Sequence, residues 1–321
     1  MPLALGRAFC RSDGLARGGV AFGLRQGEGQ GAMGDQERVE FRGRDGNRLV
    51  ADAAGDPRGR PVVLLHGGGQ TRHAWGTTLS VLAQEGWRSF TVDLRGHGES
   101  EWAADGDYSL ESFAGDVLAL AESFDQPPAL VGASLGGLSS LSAIGEHPDR
   151  AVASALVLVD VAPRIEPAGR DRIAAFMAER VETGFASLEE VADAIARYNP
   201  HRPRPKDLSG LRKNLRQRED GRWFWHWDPA FMTRPQGGED ETRTTLVEST
   251  RLEDAARAIR LPTLLVRGRV SDLLSEEGAR DLLRLVPHAE LVDVAGAGHM
   301  VAGDRNDLFN DAVVEFLSRV S

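Results

Sequence analysis

Ser134 lies in the run Gly132-Ala133-Ser134-Leu135-Gly136-Gly137, directly after the apolar stretch Pro128-Ala129-Leu130-Val131. The stretch has the character of a buried strand and residues 135–146 that of a helix, so the serine falls on a sharp strand-to-helix turn. Such a turn holds serine in a strained backbone, at a cost of about 1–3 kcal/mol. Side chains at 132 and 136 would collide with their neighbours, and glycine removes the collision. A hydroxyl presented in this way is suited to attack on an acyl carbon. The helix N-terminus offers the N–H of Leu135 to the negative charge that develops. Gly-x-Ser-x-Gly also arises by chance in glycine-rich chains, so the remaining sequence must supply the partners.

Pro61-Val62-Val63-Leu64-Leu65 reads as a second buried strand, ending in the glycine loop His66-Gly67-Gly68-Gly69. Gly68 is the best-placed second donor to an oxyanion, a group whose removal typically costs about 100- to 1000-fold in rate. A plain strand-to-helix turn is the alternative. A third strand, 89–94, runs into Arg95-Gly96-His97-Gly98-Glu99-Ser100. Asp93 and His97 precede the serine and are read as structural, because an acid and a base are available downstream. Residues 263–268 form an apolar strand whose following loop carries Asp272, and the strand 289–295 is followed by Gly296-Ala297-Gly298-His299. Serine, acid and histidine thus occur in the order 134, 272, 299, each at the C-terminal end of a strand, where open α/β sheets bind their ligands. Asp160, closing the strand 155–159, is a second place from which an acid can reach the histidine. Glu276 and Glu277 are read as opening a helix, where acidic residues are favoured, and His147 and His288 as structural.

On these motifs the chain resembles the α/β-hydrolase family over about residues 36–320. The resemblance implies a mostly parallel central sheet flanked by helices, with an inserted helical cap. Dehalogenases and epoxide hydrolases of similar length carry aspartate at the elbow, and serine here argues against both. Carried over, the family roles make Ser134 the nucleophile, His299 the base and Asp272 the group that holds the imidazole, with the Gly68 and Leu135 N–H groups as the oxyanion hole. The base must be neutral, so activity is expected to fall in acid. Neither metal nor organic cofactor is needed. The expected reaction is hydrolysis of a small-molecule carboxylic ester, with an apolar or aromatic substituent, through an acyl-enzyme. A lactone, including an acylated homoserine lactone, or a carbon–carbon bond would call on the same residues. A ligand-binding protein that keeps the fold without turnover is the alternative of a different class.

Length and composition suit one such domain with a lid: 321 residues, 41% of them hydrophobic, can fill a sizeable core. The formal charge of −10 leaves no basic stripe for nucleic acid. A single Cys10 excludes an intramolecular disulfide and fits a cytoplasmic protein. No apolar stretch approaches a membrane span, and no heptad pattern indicates an oligomeric state. Residues 1–32 hold eight glycines and no sustained period, which predicts a disordered extension ahead of a translation start at Met33. The remaining chain divides into hydrolase core at 36–163, cap at 164–247 and core again at 248–321.

The alternation around Val39 and Phe41 and the Asp45-Gly46 turn predict a lead-in hairpin. Helices are expected at 75–85, 110–124 and 304–319, the last burying Leu308, Phe309, Val313, Val314, Phe316 and Leu317. Within the cap, helices are expected at 172–183, 188–198 and 208–217, with Pro200, Pro203 and Pro205 stiffening a connection. Alternation turns Trp223, Trp225 and Trp227 to one side of an extended segment, either anchoring the cap or lining a pocket. Trp75, Phe224 and His226 are the candidates to face a substrate.

Overall fold

The structure is a computed structural model, described here over residues 36–200, 204, 206–233, 241–301 and 306–320. The expectations for 1–32, Met33, Pro203 and Pro205 lie outside these residues. Eight strands form one sheet: β1 (Glu37–Arg42), β2 (Arg48–Ala54), β3 (Arg60–Leu65), β4 (Trp87–Val92), β5 (Ala129–Ala133), β6 (Ala155–Val159), β9 (Thr263–Gly268) and β10 (Glu290–Val294). Their order is β1-β2-β4-β3-β5-β6-β9-β10. Only the pairs β1–β2 and β2–β4 are antiparallel. From β4 through β10 the sheet is parallel, and its central strands are buried on both faces, which is why they read as unbroken apolar runs.

The two faces have separate cores, and strand residues alternate between them. Val63, Leu65, Leu130, Leu156, Leu158 and Leu265 point to the face covered by α2 (Leu110–Ala121), α3 (Leu135–Gly145), α7 (Glu241–Ala258) and α8 (Glu276–Leu285). Val62, Leu64, Val131, Val157 and Val266 point to the other, covered by α1 (Gly76–Gln84) and the C-terminal helix, here α9 (Asn306–Arg319). In α9, Phe309, Val313, Phe316 and Leu317 are buried, whereas Leu308 is 38% exposed, contrary to expectation. It lies one residue off the stripe that faces the sheet.

Between β6 and β9 the chain inserts α4 (Pro167–Ala178), α5 (Leu188–Tyr198), a 3-10 turn (Ser209–Asn214), the strands β7 (Leu215–Gln217) and β8 (Trp223–Trp225), and the short α6 (Ala230–Thr233). The expected helix at 208–217 is therefore a turn and a strand. Antiparallel pairing sets Leu215 opposite Trp225 and Gln217 opposite Trp223, and burying large aromatics across a strand pair outweighs the weak helical pattern there. Trp223, Trp225 and Trp227 do share one side, where they build a core internal to the insertion with Met177, Phe185, Val191 and Leu215. The boundary expected at 247 falls inside α7, whose later turns pack on α3: Arg251 pairs with Glu146, and a Cβ on Gly145 would strike the Ala255 carbonyl. Among the described residues, no helix is long and apolar enough to cross a membrane.

Candidate active site

Ser134 joins β5 directly to α3 with φ 45° and ψ −113°, a left-handed conformation that costs an L-residue strain. The turn is tight because a Cβ on Gly132 would run into the Gly136 backbone and one on Gly136 into the Leu65 carbonyl. The neighbouring strands fix it: Ser134 N–H donates to the Val159 carbonyl at 3.3 Å and Gly136 N–H to the His66 carbonyl at 3.2 Å.

The glycine loop after β3 is pinned from both ends. Gly67 N–H donates to Gln70 Oε1 at 3.1 Å and Gly69 N–H, at a φ of 76°, to His97 Nε2 at 3.1 Å. That acceptor role places the His97 proton on Nδ1, which faces the Arg95 carbonyl at 2.9 Å. His66 works in the same way, its Nε2 accepting from Leu94 N–H at 3.0 Å. Among the described residues, the N–H groups of Gly68 and Leu135 have no protein acceptor, and both stand beside the serine. This is where an oxyanion hole was expected.

Asp93 is wholly buried. Burial alone would raise its carboxyl, but the Arg72 charge and the backbone N–H groups of Arg72 and Glu99 hold it below the usual range. It receives Arg72 Nη1 at 2.6 Å, and the same guanidinium reaches Glu99 at 2.5 Å and Asp52 at 3.0 Å. Asp93 and His97 are thus scaffold. Burial, reinforced by His66, pushes His97 down to about 3 from 6.5. Above pH 6.5 the ring is neutral folded or unfolded. As pH falls from 6.5 toward 3, the unfolded chain takes up a proton that the folded one refuses, so stability drains away in that window. The denaturation midpoint of His97→Gln should accordingly fall less between pH 7 and pH 4.5 than that of the wild type; equal acid losses would contradict this.

The acid is where the structure corrects the sequence reading. Asp160, at the end of β6, has φ 51° and no exposed surface. Its Oδ2 accepts the His299 Nδ1 proton at 2.8 Å and the Ser271 hydroxyl at 2.5 Å, and its Oδ1 accepts Gly268 N–H at 3.0 Å. Asp272 instead turns outward to Arg172 of α4, at 3.0 Å, and both side chains are more than a third exposed. The bend after β9 spends its inward position on Ser271, whose hydroxyl is itself held by Leu273 and Leu274 N–H. With Nδ1 committed to Asp160, Nε2 of His299 has no hydrogen-bond partner among the described residues and is the nitrogen left for a reacting hydroxyl. Among the described residues Ser134 Oγ has no hydrogen-bond partner either. Such contacts often tighten only with substrate bound.

The expected substrate-facing residues do not meet here. Trp75 is 1% exposed in the core of the sheet face opposite α3, its ring centroid 5.8 Å from that of Phe309. Phe224 packs beneath Arg218, whose guanidinium carbon lies 3.6 Å from the ring centroid. The His226 ring lies beside Arg216 Nε at 3.3 Å, and burial with that charge lowers its pKa. The side chains over the glycine loop are instead Phe231, Met177 and Trp227: a methyl on Gly68 would stand 3.5 Å from Phe231 Cζ, and one on Gly69 3.3 Å from Trp227 Cζ3. Trp227 was read as part of the tryptophan run, but neither Phe231 nor Met177 carries a spacing signal. Both are ordinary apolar residues of helices of the insertion, α6 and α4, brought here by its folding.

A mostly parallel sheet with a strained serine after β5, a buried carboxylate after β6 that holds an imidazole from the loop after β10, and free backbone donors after β3 and at the start of α3 defines an α/β hydrolase. The sequence model of the Alpha/beta hydrolase family matches residues 62–312, and the chain belongs to that family. It is 31% identical over 254 residues to an esterase of Mycobacterium tuberculosis, covering 76% of this chain and 78% of that one. It is 28% identical over 268 residues to a 3-hydroxybutyrate-oligomer hydrolase of Cupriavidus necator, covering 79% and 87%. Among solved structures, E-2-(acetamidomethylene)succinate hydrolase matches with a TM-score of 0.74 at 24% identity, over 88% of this chain and 100% of that one, a likeness of fold.

Proposed function

We propose that the protein hydrolyses carboxylic esters through an acyl-enzyme on Ser134. The observation that carries this reading is the hydrogen bond from His299 to the fully buried Asp160, at the C-terminal ends of the strands where the strained serine stands. His299 Nε2 takes the Ser134 proton as Oγ attacks the acyl carbon, and the carbonyl oxygen collects its negative charge against the Gly68 and Leu135 N–H groups. Collapse of that intermediate breaks the bond to the alcohol oxygen, which leaves with the proton from Nε2. Water then repeats the sequence on the acyl-enzyme, releasing the acid and restoring the serine. Asp160 keeps the Nδ1 proton in place and stabilises the imidazolium formed in each half-reaction. The inserted segment acts as the cap, its apolar side chains excluding water from the reacting centre.

The esterase of Mycobacterium tuberculosis among the relatives supports cleavage of an ester. Reaction of the folded protein with a fluorophosphonate, read by intact mass and peptide mapping, tests the proposal. One adduct, on Ser134, is expected; a folded protein that takes up none contradicts it.

A further inference from the structure

We propose that Phe231 limits the length of the acyl group, so that esters of short-chain acids are the preferred substrates. This rests on the acyl-enzyme reading above. His299 must return its proton to the leaving oxygen, so the leaving group lies on the His299 side of Ser134, toward β6 and β9. β5 is flanked by β6 on that side and by β3 on the other. With the carbonyl oxygen on the Gly68 and Leu135 N–H groups and the leaving oxygen toward His299, the acyl substituent is left the remaining direction, up past the glycine loop to the side chains that stand over it.

There the room is narrow. A methyl-sized carbon on Gly68 would already touch Phe231, at 3.5 Å from Cζ and 3.6 Å from Cε1, with Leu135 Cδ2 at 3.9 Å. At Gly69 no such carbon fits without displacing Met177, whose Cε would stand 2.9 Å away. Phe231 thus stands within van der Waals reach of a carbon placed one bond out from Gly68 Cα, directly over one of the oxyanion donors.

Nor is Phe231 free to swing aside. Its ring meets those of His97, Tyr108 and Phe113 edge-on, with centroids 4.9, 5.8 and 6.0 Å away. Its backbone N–H donates to the carbonyl of Asp228, whose carboxylate accepts the Tyr108 hydroxyl at 2.6 Å and whose N–H reaches the Gly96 carbonyl at 2.8 Å. Although α6 belongs to the inserted segment, the ring is packed against side chains of the hydrolase core, so lengthening the acyl chain meets a packed wall.

The test is kcat/KM for 4-nitrophenyl esters from acetate to decanoate, in the wild type, Phe231→Ala and Phe231→Leu, with active sites counted by fluorophosphonate. The wild type should lose about ten-fold or more between butanoate and octanoate, and Phe231→Ala should raise the octanoate-to-butanoate ratio by about ten-fold or more, with Phe231→Leu between. A wild type as fast on octanoate as on butanoate, or variants that keep its chain-length profile, overturns the proposal. If the alanine variant fails to fold, the wild-type profile and the leucine variant decide. An adduct on Ser134 with a flat profile is a failure of this inference alone. No adduct and no ester hydrolysed is a failure of the acyl-enzyme reading, and this inference falls with it.

Discussion

Ser134→Ala is expected to lower kcat on any accepted ester by about a million-fold, the loss typical of a triad nucleophile, and to abolish the fluorophosphonate adduct. Removing Oγ deletes the covalent step, and the remaining donors at Gly68 and Leu135 can stabilise only direct attack by water. Alanine tolerates the φ of 45° no better than serine, so the melting temperature should hold and the loss cannot be ascribed to unfolding. Ser134→Gly supplies the complement: it is equally inactive, but glycine releases the strain of the turn and should stabilise the fold by about 1 kcal/mol or more. A Ser134→Ala enzyme retaining a tenth of wild-type activity would remove the serine from the mechanism.

Asp160→Asn should cost about ten-thousand-fold in kcat, as tautomer reversal does in a serine triad. The carboxylate meets three donors: His299 Nδ1–H, the Ser271 hydroxyl and Gly268 N–H. An amide in its place must turn its NH2 toward one side. Turned to Gly268, it opposes a backbone donor; turned to His299, it demands an acceptor at Nδ1 and drives the proton to Nε2, where it blocks uptake of the Ser134 proton. Asp272→Asn, by contrast, breaks a half-exposed pair with Arg172 and should leave kcat within about three-fold, since such pairs contribute little. Steady-state rates of the two variants on one ester decide between the carboxylates. The reverse ranking would restore Asp272.

Much of this was legible along the chain because it is local. The elbow depends on glycines two residues either side of Ser134, the strands on runs of five or six apolar residues, and α5 on a strict period, and its expected limits 188–198 match those observed. Segments of the insertion were harder. The turn and strand at 209–217 owe their form to Trp223 and Trp225 across the hairpin, and Phe224 and His226 follow from that pairing to positions away from the serine. Trp75 looked available because it follows the glycine loop, yet α9 returns from the far end of the chain to cover it.

The residue sequence alone determined the family of fold and singled out Ser134 and His299 as the candidate nucleophile and base, since each sits in a motif whose geometry is set by its own neighbours. The choice between two aspartates, each closing a strand beside the site, was left to the tertiary structure. Asp160 and His299 are 139 residues apart, and which carboxylate meets the imidazole depends on the direction of a single side chain at each strand end. The left-handed bend at Asp160 turns one inward to a desolvated site with three donors, and the turn after β9 sends Asp272 out to an arginine of the insertion. The place of Phe231 was decided in the same way, because its ring is set only when Tyr108, His97 and Phe113 of the core close around it.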